Sequence, residues 1–122
     1  MILNDCVYVD FGDCRELLKK VESESVAVVV TSPPYNIGKP YGKYKDKIAL
    51  DEWKKLISET TAEIYRVLKP NGSFFLNLSP IPFGPQKEIL PLPYIGYDIM
   101  KENGFYIRNI ITNSIKTCLM YF

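Results

Sequence analysis

The chain has 122 residues, 47% hydrophobic and 24% charged, a balance that suits one folded domain with a real core and excludes a disordered tract. No apolar run approaches the roughly 18 residues of a membrane-spanning helix, and the amino terminus lacks the basic-then-apolar layout of a secretion signal, so the expected location is cytoplasmic. Histidine is absent and the net charge is +1. This excludes imidazole acid–base catalysis, Ser–His triads and histidine metal sites within the chain, and it removes any global field that would attract nucleic acid.

In chain order, Cys6 to Asp10 alternates weakly and predicts a short strand. Gly12 and Asp13 form a turn, and Arg15 to Val21 predicts a short helix with Leu17, Leu18 and Val21 inward. Val26 to Val30 is an unbroken run of four valines and Ala27, the pattern of a strand covered on both faces in a parallel sheet. Pro33 and Pro34 end it abruptly. Residues 36–50 read as a long polar loop. Asp51 is the expected N-cap of a helix reaching Leu68, with Trp53, Leu56, Ile57, Ile64, Val67 and Leu68 along one face. Lys69-Pro70-Asn71-Gly72 stops that helix. Ser73 to Leu78 predicts a second buried strand, and the proline-rich stretch from Ser79 to Pro93 a loop. A helix from Pro93 to Asn103 and a strand from Phe105 to Thr112 complete the order. Alternation of this kind predicts an α/β fold with a doubly wound sheet. Cys6, Cys14 and Cys118 share no metal-ligand spacing, and their odd count argues for buried or half-buried thiols over a disulfide framework.

Ligands of open α/β sheets bind beyond the carboxyl ends of the strands, which is where Thr31-Ser32-Pro33-Pro34-Tyr35 falls. The two prolines stiffen the backbone, and the Pro33 carbonyl and Ser32 hydroxyl offer acceptors to an exocyclic amine. Tyr35 offers an aromatic face to a planar base. A plain turn carrying a surface tyrosine is the competing reading. Lys39, Lys43, Lys45 and Lys47 alternate with Tyr41 and Tyr44, either as a phosphate-tracking loop or as a solvated one.

Thr-Ser-Pro-Pro-Tyr-Asn-Ile-Gly-Lys after a valine-rich strand, followed by Glu63-Ile64-Tyr65-Arg66-Val67-Leu68-Lys69-Pro70-Asn71-Gly72 before a phenylalanine-rich one, resembles the DNA amino-methyltransferases from residue 6 to about 111. The resemblance implies an incomplete Rossmann-like class I S-adenosylmethionine-dependent methyltransferase fold, a mostly parallel sheet with flanking helices. It implies transfer of a methyl group from S-adenosylmethionine to the amine of a base flipped out of double-stranded DNA. Serine at the head of the motif favours cytosine N4 over adenine N6. Ser32, Pro33, Pro34 and Tyr35 would be the catalytic set, with no enzyme nucleophile and no metal. Lys39, Tyr41, Lys43, Tyr44 and Lys45 would contact DNA. Asp13 resembles the acidic residue that contacts the adenine part of the cofactor, with helix capping as the alternative. Thr31, Asn77 and Ser79 would line the same pocket, although a strand-end Asn77 satisfying loop backbone is an equal reading.

The pattern is also broken. In this motif order, members carry a downstream recognition region and an Asp-Pro-Phe-x-Gly-Ser-Gly type segment, whereas the only glycines after Gly84 here are Gly96 and Gly104. Residues 1–112 are thus expected to be the amino-terminal catalytic half of a methyltransferase domain, and residues 113–122 an atypical tail. That tail suggests either truncation, the preferred reading, or a split enzyme whose second polypeptide brings the glycine motif and recognition region. The chain alone is expected to be inactive. The alternative function is a non-catalytic remnant or split subunit that binds DNA or a partner chain. An RNA or protein amine as substrate is disfavoured, because those enzymes place the glycine motif first and only 30 residues precede Thr31.

Overall fold

The computed structural model of the chain describes residues 2–4, 6–38, 40–41, 44–45, 47–112 and 118–121. A small antiparallel pair, β1 (Ile2–Asn4) and β2 (Val7–Tyr8), opens it. Helix α1 (Cys14–Leu18) follows, with Asp13 at its N-cap accepting from the Arg15 backbone N–H at 2.9 Å, the usual service of an aspartate there. Next come β3 (Val26–Thr31), the hairpin of β4 (Pro40–Tyr41) and β5 (Tyr44–Lys45), and α2 (Leu50–Val67). Then follow β6 (Leu68–Leu78), the hairpin of β7 (Ile81–Phe83) and β8 (Glu88–Leu90), α3 (Leu92–Glu102), β9 (Asn109–Thr112) and β10 (Cys118–Tyr121).

The main sheet has the order β3-β6-β10-β9. β3 pairs with β6 in parallel, and β10 lies antiparallel between β6 and β9, so β3, β6 and β9 point the same way. Residues 118–121, set apart by sequence as part of a tail, therefore lie inside the sheet, with Cys118 opposite both Leu78 and Thr112. Their pairing is settled by partners more than 30 residues away on β6, which local sequence does not reveal.

One hydrophobic core lies between this sheet and the helices. Trp53, Ile57, Thr61, Ile64 and Val67 are the buried stripe of α2, recurring every three or four residues as one helix face must. Phe74, Leu76 and Leu78 alternate inward along β6, and Leu92, Ile99 and Met100 close the core from α3. Phe105 sits edge-on to Tyr65 with ring centroids 5.1 Å apart. Arg66 ties α1 to α2 by donating to the Leu18 carbonyl at 2.8 Å and the Val21 carbonyl at 3.0 Å.

Four expectations are corrected. The valine run is not covered on both faces, because Val28 is 53% and Val30 71% exposed while α2 and α3 pack into a single core with α1 at its margin through the partly buried Leu18. The segment Lys69-Pro70-Asn71-Gly72 is not a free turn but a bulge within β6: Val26 pairs with Leu68 and Val28 with Ser73. Glycine suits that place, since a Cβ at residue 72 would crowd the Ala27 and Lys69 carbonyl oxygens at 3.0 Å. Asp51 is not the N-cap; Ala49 is, without a side-chain bond, and Asp51 sits in the first turn, where its charge favours the helix dipole. Cys6 and Cys14 are exposed rather than buried.

Candidate functional site

β3 delivers its last residue, Thr31, opposite Leu76 of β6. The chain then leaves the sheet as Ser32-Pro33-Pro34-Tyr35, and three side chains from different elements hold this corner. Asn77, next to Leu76 on β6, donates through Nδ2 to Ser32 Oγ at 2.9 Å. Trp53, fully buried on α2, donates its indole N–H to the Pro34 carbonyl at 2.7 Å. Asn36, with a left-handed φ of 61°, donates through Nδ2 to the Ile48 carbonyl at 2.8 Å and accepts the Ile48 N–H at 2.7 Å. That last pair closes the 36–48 loop at its base. Polar bonds that span elements fix a loop because each buried donor is costly to leave unpaired.

Beside the corner lies a cavity of about 360 Å³, lined by Ser32, Pro33 and Pro34 together with Cys14 and Thr60, and for the greater part by apolar side chains such as Val29, Ile57 and Leu76. Ser32 is exposed, and its hydroxyl oxygen accepts the bond from Asn77. Tyr35 is half-buried and packs against the edge of the core, a more anchored placement than a free stacking face. Ser32 and Pro33 both belong to the cavity lining, and the Pro33 carbonyl has no N–H of its own ring competing for a partner.

The start of α1 reaches the same cavity through Cys14, which brings Asp13 near the corner's neighbourhood. Its carboxylate is already engaged: Arg15 Nη2 lies 2.6 Å from Oδ2 and Nε 3.0 Å from Oδ1. These bonds hold the Asp13 carboxyl below its ordinary range, against a smaller opposing effect of burial. Asp13 and Glu59, 2.8 Å from Arg15 Nη1, in turn raise the Arg15 guanidinium further. Thr31, Asn77 and Ser79 are all half-buried at the carboxyl ends of β3 and β6, and Ser79 Oγ donates to the Pro80 carbonyl at 3.3 Å.

Of the basic loop, Lys39 and Lys43 lie outside the described residues. Tyr41, Tyr44 and Lys45 are described in backbone only, as the β4–β5 hairpin, with Tyr41 opposite Tyr44. Sequence reasoning placed Trp53 in the core and did not single out Asn36; the signal available for both was a hydrogen-bonding side chain just beyond a proline pair or facing one.

The profile of a family described as DNA methylase matches residues 26–121. The Type II methyltransferase M.BglI of Bacillus subtilis is 43% identical over 105 residues, covering 86% of this chain and 29% of the relative. Among solved structures, a DNA modification methylase of Thermus thermophilus complexed with S-adenosyl-L-methionine superposes with a TM-score of 0.69 at 22% identity, over 90% of this chain and 52% of that one. The cytosine-N4-specific PvuII DNA methyltransferase does so at 0.67 and 18%, over 90% and 46%. These two establish the fold, that of the class I S-adenosylmethionine-dependent methyltransferases, of which this chain forms part. The chain spans about three-tenths of the length of M.BglI and M.ScaI. A corner of serine, two prolines and tyrosine at the end of a parallel strand, inside a segment that this profile matches almost throughout, leaves one conclusion: the chain belongs to the N4/N6 DNA amino-methyltransferases, whose methyl donor is S-adenosylmethionine.

Proposed function

We propose that this chain supplies the base-gripping segment of a DNA methyltransferase that modifies the exocyclic amine of a flipped base, cytosine N4 in preference to adenine N6. The observation that carries the reading is the pinned corner, where the exposed residue Ser32 borders an open cavity together with Pro33 and Pro34. A base must leave the duplex before its amine can reach such a site. Ser32 Oγ and the Pro33 carbonyl would each accept one amine N–H, drawing the nitrogen toward tetrahedral geometry and exposing its lone pair. Tyr35 would bound the base on one side. Positioning and polar stabilisation then carry the catalysis, and Cys6 and Cys14 need no part in it. Serine at the head of the motif supports cytosine.

S-adenosylmethionine would supply an electrophilic methyl group. The residues present suit one side of it: Thr31, Asn77 and Ser79 offer polar groups at the strand ends, and Asp13 would face the adenosine, although Arg15 already engages its carboxylate. The open edge of β3, with Val28 and Val30 exposed, supports a further layer against it, from more of the same polypeptide or from a second one bringing the glycine motif and recognition region. The basic residues Lys39, Lys43 and Lys45, with Tyr41 and Tyr44, would track phosphates over the extruded base. The same reading puts the protein in the cytoplasm beside the DNA it modifies; among the described residues no helix is long and apolar enough to cross a membrane.

Two measurements test this. With labelled S-adenosylmethionine and mixed-sequence duplex DNA, the purified 122-residue chain should transfer no methyl group, and robust transfer would overturn its role as one segment of the enzyme. In anisotropy titrations the chain should hold a thymine nonamer with one central cytosine more tightly than the all-thymine strand, which has no exocyclic amine. Equal affinity for the two strands would remove the base-gripping role.

A further inference from the structure

Asn77 follows Leu76, the parallel partner of Thr31, so the ends of β3 and β6 bring its side chain alongside Ser32. A serine hydroxyl is a rotor with one donor and two lone pairs, and on an exposed loop nothing intrinsic selects among its three staggered positions. Here Asn77 Nδ2 reaches Ser32 Oγ at 2.9 Å. The second acceptor of the corner is placed by other means, because Trp53 on α2 holds the Pro34 carbonyl at 2.7 Å, which fixes the Pro34–Tyr35 peptide one residue beyond the Pro33 carbonyl, and the Pro34 ring restricts the link between the two.

We infer that Asn77 is a positioning residue for the base amine: by occupying one lone pair of Ser32 Oγ, it selects the rotamer that turns the other toward the cavity. This rests on the base-gripping function proposed above. The two acceptors are thus set independently, the Ser32 hydroxyl by β6 and the Pro33–Pro34 backbone by α2. Removing the Asn77 amide releases the hydroxyl and leaves the proline corner in place. The residue therefore governs discrimination for an amine-bearing base more than overall attachment to a strand, since phosphate contacts carry the latter whatever the base.

The test uses the 122-residue chain as wild type, Asn77→Ala and Asn77→Asp. The last is isosteric and holds the hydroxyl from the opposite sense, by accepting its proton. The probes are the thymine nonamer with one central cytosine and the all-thymine nonamer, and the readout is the ratio of their affinities, in which any change in overall charge cancels. Trp53 is the only tryptophan, so its single indole N–H resonance reports whether the Pro34 contact persists. Wild type should prefer the cytosine strand about tenfold, the worth of one to two hydrogen bonds. Asn77→Ala should lose most of that ratio with the indole resonance unmoved, and Asn77→Asp should keep it. An undiminished ratio in Asn77→Ala overturns the inference while leaving the proposed function standing. So does a loss accompanied by a shifted indole resonance, or a loss that Asn77→Asp fails to restore. A wild-type chain without preference overturns both.

Discussion

The two faces of the main sheet have the same kind of sequence and opposite fates. On one, Phe74, Leu76 and Leu78 of β6 meet Trp53, Ile57 and Ile64 of α2 and lose nearly all contact with solvent. On the other, Val28 and Val30 of β3 remain open, as does Ile111 on β9. Apolar residues stand on both sides; only one side is covered. An apolar strand thus states that a layer is expected, and only tertiary structure states whether this stretch of chain provides it. The proposed base-gripping corner draws on both sides: Trp53 of α2 reaches it from the covered face, and Asn77, which alternates with the inward Leu76 and Leu78 of β6, from the other.

The contrast breaks most sharply under paired truncations. Leu76→Ala removes a fully buried side chain from the covered face and should cost about 2–5 kcal/mol, transfer and cavity effects together. Val28→Thr keeps the β-branched shape on the open face and should change stability by about 0.5 kcal/mol or less. Urea unfolding followed by circular dichroism measures both, and comparable losses would mean that the open face is covered in solution.

A smaller effect is expected where the two parallel strands meet. Gly72 lets the β6 bulge approach β3, and an added methyl would press on the Ala27 and Lys69 carbonyls at 3.0 Å. Backbone atoms held in a sheet cannot yield as a flexible side chain can, so Gly72→Ala should destabilise by about 1–3 kcal/mol. If the variant unfolds at the wild-type urea midpoint, the β3–β6 pairing is looser than the covered face implies.

Much of this was legible from local pattern. The valine run, the amphipathic helix beginning near Trp53 and the phenylalanine-rich strand fall where periodicity put them, because each is decided by neighbours within a few residues. The Ser32–Tyr35 corner was legible for the same reason, as prolines end a strand whatever surrounds them. What escaped was decided at a distance. The β7–β8 hairpin hides in a proline-rich stretch, since Pro82 is tolerated in a two-stranded sheet that lacks the ladder of a central strand. Residues 118–121 reveal their place only through pairing with 75–78 and 109–112. The bonds from Asn77 to Ser32 and from Trp53 to Pro34 span 45 and 19 residues, so composition hints at a site there without saying which side chain holds which.

A modest effect is also expected at α1, which has no fully buried residue and so depends largely on its polar ends. Asn serves an N-cap nearly as well as Asp, so Asp13→Asn should keep the cap and lose only the charge pairing with Arg15. With both side chains about a third exposed or more, that is worth about 1 kcal/mol or less near neutral pH. The sign with pH follows from the folded carboxyl lying below its ordinary value of 3.8, chiefly through the Arg15 hydrogen bond. Its contribution is complete above that ordinary value, and it disappears as pH falls through the lowered folded value. Wild type and Asp13→Asn should therefore differ slightly in urea midpoint at about pH 7 and converge toward about pH 2. A gap that persists at the acid end would mean that the Asp13 carboxylate acts through shape rather than charge, and that α1 is seated on α2 by packing, as the covered face is.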